Sequence, residues 1–342
     1  MGMLRPDEGP HALLLQARKP MPPQNGRPDR MRSPISRARG VLARREEREF
    51  YLFVSPWILG FLFLTAGPMI LSLIISFTDW DVVTSPKWLG LENYRRLWND
   101  LWNPSRLVLF RQSLKVTTIY ALLEVPLRLA VNLFGAMLLN QKLRGMPAFR
   151  AMLYSPTVVP AVASAMVWIW IMLPQGGLLS LILNVFGLPD QRLLFDPNTA
   201  LITIIIMGLW GFGTGMLIFL AGLQSIPQHL YEAAEIDGAS VFARFRYVTL
   251  PMLSPVIFFN LVTGVMANFQ AFDGAFLITQ GGPNYATHFY VLNLYNFGFR
   301  YFRMGMASAM AWVLFFIIMA FTLLIVRSSA AWVYYEGEVR GR

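Results

Sequence analysis

Cysteine is absent from this sequence of 342 residues, and charged residues make up only 14% of it. Without cysteine the chain cannot form disulfides, cysteine zinc sites, iron–sulfur clusters or thiol nucleophiles. Hydrophobic residues, by contrast, make up 55% of the sequence. That composition excludes a disordered chain, a collagen and an ordinary soluble domain.

Catalytic and nucleotide-binding motifs are also missing. A P-loop ends in Gly-Lys-Ser/Thr, but none of the lysines follows a glycine, so this chain cannot hydrolyse ATP by that route. The sequence has no GxSxG elbow, and His11, His229 and His288 lie far apart and outside any HExxH pattern. We therefore predict no catalytic residue, no metal site and no cofactor bound by this chain.

Basic charge is concentrated near the N-terminus. Of the 29 Lys and Arg residues, eleven fall between Arg5 and Arg48. This distribution is typical of a tail rather than of a nucleic-acid-binding surface, so we expect no nucleic-acid partner. Residues 1–49 also have few large apolar side chains, which predicts a disordered cytoplasmic tail. A short cytoplasmic tail is expected at 336–342 as well, with the membrane domain at 50–335.

Long apolar stretches dominate the rest of the chain. Each is close to the roughly 20 residues that cross a ~30 Å hydrocarbon core as a helix. Uniformly apolar runs exclude a β-barrel, whose strands alternate in polarity. The sequence therefore predicts an all-α membrane protein, a six-transmembrane-helix bundle. The predicted spans cover 52–78, 113–140, 151–173, 200–223, 252–272 and 304–326. Prolines that favour kinks lie in or at the ends of these spans, at Pro56, Pro68, Pro126, Pro156, Pro160 and Pro255.

The orientation of the spans follows from the positive charges between them. With the N-terminus inside, nineteen Lys and Arg residues are cytoplasmic and eight are external. The positive-inside rule therefore favours a bundle with both termini in the cytoplasm.

The second span is the weakest because Glu124 and Arg128 interrupt it. The two residues are four positions apart, so they can neutralise one another on one helix face. Two interpretations stay open: a polar site in a transport pathway, and an internal pair near one end of the helix.

The glycine-rich segment 211–215 superficially resembles a dinucleotide-binding loop. We place it inside an apolar helix rather than between a strand and a helix, which argues against a cofactor. Its glycines either let two helix backbones approach or leave room for a substrate.

Residues 225–251, between the fourth and fifth spans, predict two short helices. Pro227 favours helix entry, Gly238 suits a left-handed turn after the first helix, and Ser240 can cap the second. Pro251 then stops the second helix or hands it over to the fifth span. A small apolar face beside acidic groups makes this segment suitable for docking into a groove on a partner.

The same segment carries a family resemblance. It has Glu232-Ala233-Ala234, three residues, Gly238, nine residues, Val248, one residue and Leu250-Pro251. This closely resembles the cytoplasmic EAA loop in the membrane subunits of ABC importers, with Val248 as a conservative change from isoleucine. Further matches at 149–160, 221–227 and 279–283 make residues 50–335 similar to carbohydrate permeases of the maltose and glycerol-phosphate type.

The resemblance implies a permease of the type I ABC importer fold in a bacterial inner membrane. It implies three kinds of partner protein for a chain that lies in the lipid bilayer: a second and different permease subunit, two cytoplasmic ATPase subunits that bind ATP and Mg, and an external solute-binding protein. The substrate implied is a carbohydrate. The implied ATPase-coupling residues are Glu232, Ala233, Ala234, Asp237, Gly238, Leu250 and Pro251.

A sugar pathway needs hydrogen-bonding groups and aromatic faces within the apolar bundle. The fifth span offers Asn268, Gln270 and neighbouring phenylalanines. At several of the sugar-contacting positions that the resemblance implies, this chain has a smaller residue than the maltose-type subunits have. Either the ligand is bulkier or the partner subunit binds it. Helix packing is the alternative role for Asn268 and for the glycines. Alignment with maltose-type subunits retains Asn268 and adds Thr157, Phe212, Gly208, Gly211, Gly215 and Gly264.

The predicted external segments 79–112 and 273–303 are rich in aromatic residues, among them Trp98, Tyr290 and Tyr301. These residues fit either docking of the binding protein or an aromatic belt at the membrane interface. The sequence leaves both interpretations open.

Two other function classes were weighed against the importer. An ion-coupled secondary transporter needs intramembrane ionisable groups, and only Glu124 and Arg128 support it. An intramembrane enzyme needs a catalytic pair within the spans, and the sequence offers none.

Overall fold

The computed structural model describes residues 34–105, 108–141 and 143–334. Most of the predicted N-terminal tail and the predicted tail at 336–342 lie outside these residues. Residues 34–49, where we expected disorder, form the beginning of a helix. The stretch is rich in Arg, Glu, Ala and Leu, which are good helix formers, and this explains the difference.

The chain divides into two units, Met1–Ala66 and Gly67–Arg342. In the first unit, helix α1 (Pro34–Phe61) is followed by a π-helical turn (Leu62–Ala66). Large apolar side chains are exposed along its second half, as in Phe53 at 85%. Such exposure is expected of a helix whose neighbour is lipid.

The second unit is almost entirely helical. In chain order its elements are α2 (Gly67–Ser76), β1 (Thr78–Asp79), β2 (Lys87–Trp88), α3 (Glu92–Trp102), α4 (Phe110–Leu139), α5 (Met146–Tyr154), a 3₁₀ turn (Ser155–Val158), α6 (Ala161–Ile171), α7 (Leu178–Val185), α8 (Ala200–Leu209), α9 (Gly213–Ser225), α10 (Gln228–Ile236), α11 (Val241–Arg244), a π-helical turn (Phe245–Thr249), α12 (Leu250–Phe269), a π-helical turn (Ala275–Thr279), α13 (Tyr290–Tyr295), a π-helical turn (Asn296–Arg300) and α14 (Met304–Trp332).

Four helical stretches are long and apolar enough to cross a membrane: Glu46–Ser76, Phe110–Leu139, Val241–Phe269 and Met304–Trp332. They overlap the first, second, fifth and sixth predicted spans. Two bent pairs, α5 with the 3₁₀ turn and α6 (95°) and α8 with α9 (50°), qualify if each pair is counted as one span. The described residues therefore contain four to six candidate spans.

The third predicted span, 151–173, is not one straight helix. Pro156 and Pro160 lie at its bend, and proline both lacks an N–H and disfavours a helical residue before it. Val159, directly before Pro160, is accordingly extended with ψ of 127°. The fourth predicted span is likewise interrupted at 210–212, between α8 and α9.

The first span ends two residues before its predicted limit at Thr78, because Thr78 pairs with Trp88 in a short antiparallel ladder. The buried Asn93 closes this corner: its Nδ2 donates to Ser76 O and Thr78 O, each at 2.9 Å. These bonds satisfy backbone carbonyls at the point where the helix stops.

Helix α4 is central, since it packs against α8, α9, α12 and α13. One hydrophobic core contains Phe110 and Tyr290 with residues of α14. A second core joins α4, α9 and α12 through Ala136, Phe219 and Leu253. Helix α4 therefore forms part of the wall of both cavities described below.

Candidate functional site

The loop 225–251 folds as a helix, a tight turn and a second helix. Pro227 precedes α10 in an extended conformation. After α10 the chain turns at Gly238, whose φ is +78° and whose N–H donates to Glu235 O at 3.0 Å. A left-handed glycine commonly ends a helix in this way, so the predicted turn is confirmed.

Ser240 begins the next helix, as predicted. Its Oγ accepts a hydrogen bond from the Ala243 N–H at 3.2 Å, which is the geometry of an N-cap. Helix α11 then continues through the π-helical turn into α12. The second short helix is thus handed over to the fifth span, and Pro251 lies in the first turn of α12, where proline is tolerated.

Two side-chain contacts join α10 to the chain that follows it. Arg244 Nη1 donates to Glu235 Oε2 at 3.1 Å, and the hydroxyls of Tyr231 and Thr249 lie 3.0 Å apart. The loop is therefore braced on itself, independently of any partner.

The outer surface of this loop is apolar as well as acidic. Ile236, Val241, Phe242 and Tyr247 are exposed to 86%, 75%, 74% and 75%. Contiguous exposed apolar side chains mark interaction sites. Of the predicted coupling residues, Glu232, Ala233, Asp237 and Gly238 are exposed, and Ala234, Leu250 and Pro251 are half-buried.

Two adjoining cavities lie beside α4. The larger, of about 510 Å³, is lined by α4, α6, α8 and residues that follow α12. The smaller, of about 260 Å³, is lined by α4, α9 and α12. Arg128, Gly211 and Thr214 line both cavities, which places the junction at the break between α8 and α9.

Arg128 binds directly to this helix break. Its Nη2 donates to Gly208 O at 2.9 Å, and its Nη1 donates to Gly211 O at 3.4 Å. A break disrupts the regular helix hydrogen bonds at its carbonyls. Gly208 O accepts from the Gly211 N–H at 3.3 Å, and the guanidinium adds a donor to Gly208 O and another to Gly211 O. Glu124 pairs with the same guanidinium. The pair is internal, as one interpretation holds, but it lies near the middle of α4 rather than near one end. Arg128 borders both cavities, and a polar site in a transport pathway stays a prediction.

Polar groups remain unpaired around this pair. Glu124 is fully buried and Asn132 is only 3% exposed. Within the described residues, Glu124 Oε2 and Asn132 Oδ1 are buried with no hydrogen-bond partner. Tyr120 lines the larger cavity, and Asn132 and Asn260 line the smaller. Sequence reasoning did not identify these three residues, although Tyr120 lies four residues before Glu124 and Asn132 lies four residues after Arg128.

Most of the predicted pathway residues line these two cavities. Thr157 and Gly208 line the larger cavity, Gly211 lines both, and the smaller is lined by Phe212, Gly215 and Gly264.

Asn268 and Gln270 line neither of these cavities. Asn268 Nδ2 donates to Gly264 O at 2.9 Å, and Gln270 Nε2 donates to Met266 O at 2.9 Å. Both amides therefore bond to a carbonyl four residues earlier on their own helix. Helix α12 also ends at Phe269, so Gln270 lies beyond the helix that was predicted to reach residue 272.

The segment 211–215 is not inside one continuous helix, contrary to the prediction, because α9 begins only at Gly213. A Cβ added at Gly213 would lie 2.9 Å from Tyr154 Cα, so close backbone packing requires glycine there. Gly211 instead lines the cavities. Close backbone packing is therefore confirmed at Gly213, whereas room for a substrate stays a prediction for Gly211.

The aromatic residues of 79–112 and 273–303 fall into two groups. Tyr290 is fully buried, and its hydroxyl donates to Met310 O at 2.9 Å, so it belongs to the core. Trp98 and Tyr301 are 62% and 59% exposed. Only the exposed group is available for a partner or for the membrane interface.

His288 lies between the fifth and sixth spans and is 4% exposed. Burial lowers the pKa of His288, and a hydrogen bond with Asn293 offsets part of that effect. In the described ranges its Nε2 has no hydrogen-bond partner. The same ranges contain no group of three or more His, Asp or Glu side chains that could hold a metal ion.

Comparison with known proteins agrees with the loop and the bundle. Residues 131–331 match the family of binding-protein-dependent transport system inner membrane components. The probable ABC transporter permease protein YesP of Bacillus subtilis (strain 168) is 42% identical over 303 residues, covering 86% of this chain and 94% of that protein. The trehalose/maltose transport system permease protein MalF of Thermococcus litoralis is 32% identical, covering 84% and 95%.

A solved structure shows the same fold. One chain of a bacterial alginate ABC transporter, in complex with an alginate pentasaccharide-bound periplasmic protein, matches with a TM-score of 0.73 at 21% identity, covering 83% of this chain and 95% of that one. The family match spans more than half of the chain and includes the whole 225–251 loop. This chain therefore belongs to the family of inner-membrane permease components of binding-protein-dependent ABC transporters.

Proposed function

We propose that this chain is one permease subunit of an ABC importer that translocates a carbohydrate delivered by an external solute-binding protein. The proposal is supported by the relative from Thermococcus litoralis, whose name assigns it to trehalose and maltose transport. It is also supported by the two cavities, whose walls combine hydroxyl, amide and aromatic groups of the kind that bind sugars.

The proposed topology has six spans, with both termini in the cytoplasm, and a permease domain at 50–335. In this topology each bent pair, α5–α6 and α8–α9, counts as one span. Nineteen Lys and Arg residues are then cytoplasmic and eight are external, which supports the orientation. The 225–251 loop is cytoplasmic in this arrangement.

The 225–251 loop is the proposed coupling element. The observation that carries this role is its exposed apolar surface, with Ile236 at 86% and Phe242 at 74%, on a helix–turn–helix that is braced internally. In the proposed contact Glu232 pairs with a basic residue of an ATPase subunit, and the small Ala233 and Ala234 allow close approach. Gly238 makes the corner that presents α10.

The proposed assembly lies in a bacterial inner membrane and contains a second, different permease subunit. Two cytoplasmic ATPase subunits bind ATP and Mg, and movement of the coupling loop transmits their closure to the spans. This division of labour agrees with the lack of a P-loop in the present chain.

Purification of the tagged chain from native membranes tests this proposal. Wild-type chain is expected to bring down a P-loop ATPase and a second six-span subunit, identified by mass spectrometry, and the eluate is expected to hydrolyse ATP. Glu232→Lys reverses the charge on the proposed contact and is expected to lose the ATPase subunit. Glu92→Lys is the matched control, since Glu92 lies on α3, is half-buried and pairs with the nearby Arg96.

The opposite result would be a chain that elutes alone, equally in wild type and in both variants. The coupling assignment would then be wrong. Substrate transport by the purified chain alone, driven by an ion gradient, would instead favour the secondary-transporter alternative.

A further inference from the structure

One face of α4 carries a row of polar side chains. Tyr120, Glu124, Arg128 and Asn132 follow one another at intervals of four residues, so they lie on one side of the helix. We call these four residues the α4 ladder. The rest of the helix is apolar enough to cross a membrane. Polar side chains within a membrane span carry a desolvation cost, so their presence indicates a functional site.

The α4 ladder points into the bundle rather than toward lipid. Tyr120, Glu124 and Asn132 are 7%, 0% and 3% exposed. Tyr120 and Arg128 line the larger cavity, and Arg128 and Asn132 line the smaller. Tyr120, Arg128 and Asn132 therefore form a polar wall along the two cavities, whereas Glu124 is fully buried and lines neither of them.

Two hydrogen-bond acceptor atoms of the α4 ladder receive no hydrogen bond. Glu124 Oε2 and Asn132 Oδ1 have no hydrogen-bond partner within the described chain, although both are buried. A buried acceptor without a donor destabilises the fold. Native structures keep such groups where a ligand or water completes them. Of the two residues, Asn132 lines the smaller cavity and Glu124 lines neither, so Asn132 offers the acceptor for the O–H group of a ligand.

The wall also supplies donors. A guanidinium has five N–H groups. In Arg128, Nε and one Nη2 N–H bond to Glu124, the other Nη2 N–H bonds to Gly208 O, and one Nη1 N–H bonds to Gly211 O. One Nη1 N–H remains. A Cβ on Gly208 would lie 3.4 Å from the Tyr120 hydroxyl and 3.6 Å from Arg128 Nη2, in van der Waals contact with both, so glycine at this position leaves these groups less covered. Donors and acceptors thus alternate along the ladder.

We propose that the α4 ladder is a carbohydrate-binding wall of the translocation path, with the ring hydroxyls of the substrate as its ligands. In this site Asn132 accepts from a sugar O–H group, Tyr120 and Arg128 donate to sugar oxygens, and Glu124 holds the Arg128 guanidinium in place. Glu124 neutralises Arg128, and among the described residues the charged side chains that line the two cavities are Arg128 and Asp273. The wall therefore recognises hydroxyls rather than a carboxylate. This inference rests on the proposed carbohydrate function.

The test uses the assembled complex in nanodiscs with its binding protein and measures ATPase stimulation. Trehalose, maltose and an alginate pentasaccharide are the probes, and the sugar with the strongest effect is carried forward. Tyr120→Phe and Asn132→Ala each remove one ladder group without leaving a charge unpaired. Each is expected to raise the loaded binding protein concentration at half-maximal stimulation by about tenfold, as loss of one hydrogen bond to a ligand does.

Lys115→Ala is the matched control, because it removes an exposed side chain from the same helix. It is expected to leave the half-maximal concentration at the wild-type value. Deoxy analogues of the chosen sugar complete the design. For at least one analogue the loss caused by Asn132→Ala and the loss caused by the missing hydroxyl are expected to be non-additive, whereas a purely structural defect gives additive losses.

The outcomes separate the two levels of the argument. A wild-type complex that responds to none of the three probes contradicts the carbohydrate function itself. A responsive complex in which both ladder variants behave like Lys115→Ala, or in which every analogue is additive, overturns the α4 ladder while leaving the carbohydrate function in place.

Discussion

Removal of one partner of the Glu124–Arg128 pair is expected to destabilise the bundle far more than removal of both. In Arg128→Ala the fully buried Glu124 loses its counter-charge, and Gly208 O and Gly211 O lose their donors. Breaking a buried ion pair from one side costs about 3–5 kcal/mol. Because the Arg128 side chain is 29% exposed, we expect the lower end of that range, about 3 kcal/mol.

The double variant Glu124→Leu/Arg128→Met removes both charges and retains apolar volume. It is expected to lose only the two carbonyl hydrogen bonds, about 1–2 kcal/mol. The difference between the two variants, about 1–2 kcal/mol, is therefore the penalty of the uncompensated carboxylate.

Unfolding free energies from steric trapping in bicelles measure this difference, with Lys115→Ala as the control at less than about 0.5 kcal/mol. Equal destabilisation by the single and double variants would refute the reasoning. So would a loss below about 1 kcal/mol in Arg128→Ala. Either result would mean that water in the adjoining cavities already screens Glu124.

Three further predictions concern backbone geometry and pH. Gly238→Ala is expected to weaken recovery of the ATPase subunit about fivefold, because a φ of +78° costs an L-residue about 1 kcal/mol. The control is Gly187→Ala, which has a φ of +68° and equally open surroundings and should leave recovery unchanged. Equal losses in the two variants would contradict the role of the turn at Gly238. Gly213→Ala is expected to lower the unfolding free energy by about 1–3 kcal/mol, because its Cβ would press on Tyr154 Cα, and an unchanged value would contradict the close packing. Because burial lowers the pKa of His288, its contribution to stability is complete above the ordinary value near 6.5 and is lost as the pH falls through the folded pKa. Hydrogen-exchange protection factors of residues 279–289, which correct for the intrinsic slowing of exchange in acid, should fall as the pH is lowered in the wild type and not in His288→Gln; identical pH profiles of protection would contradict it.

The sequence was sufficient wherever the controlling interaction is local. Gly238 and Ser240 were predicted to turn and cap the 225–251 loop, and both do so through bonds to residues three positions away. The spans were located by hydropathy, because crossing lipid depends on length and apolar composition alone. Hydropathy carries no information about direction, but Pro156 and Pro160 predicted a kink where the 95° bend lies. The 50° bend between α8 and α9 contains no proline and was not predicted.

The site was harder to predict because its contacts are distant in sequence. The break after α8 is stabilised by Arg128, about eighty residues earlier in the chain, and no local pattern links the two. Asn268 attracted attention as an amide in an apolar run, but its Nδ2 is used on Gly264 O. Asn132 was overlooked, although its spacing from Arg128 already placed both on one face of α4.

The position of the break gives α9 the properties of a lever arm. Its 13 residues connect the cavity junction at one end to the 225–251 loop at the other. At 1.5 Å per residue the arm is about 20 Å long, so a tilt of about 6° at the break corresponds to a displacement of about 2 Å at the loop. The pivot of this motion is the break itself, where Arg128 of α4 donates hydrogen bonds to Gly208 O and Gly211 O. A rigid α9 would therefore convert a small translation of the 225–251 loop into a change of its own angle at the cavities, with no helical turn unfolded.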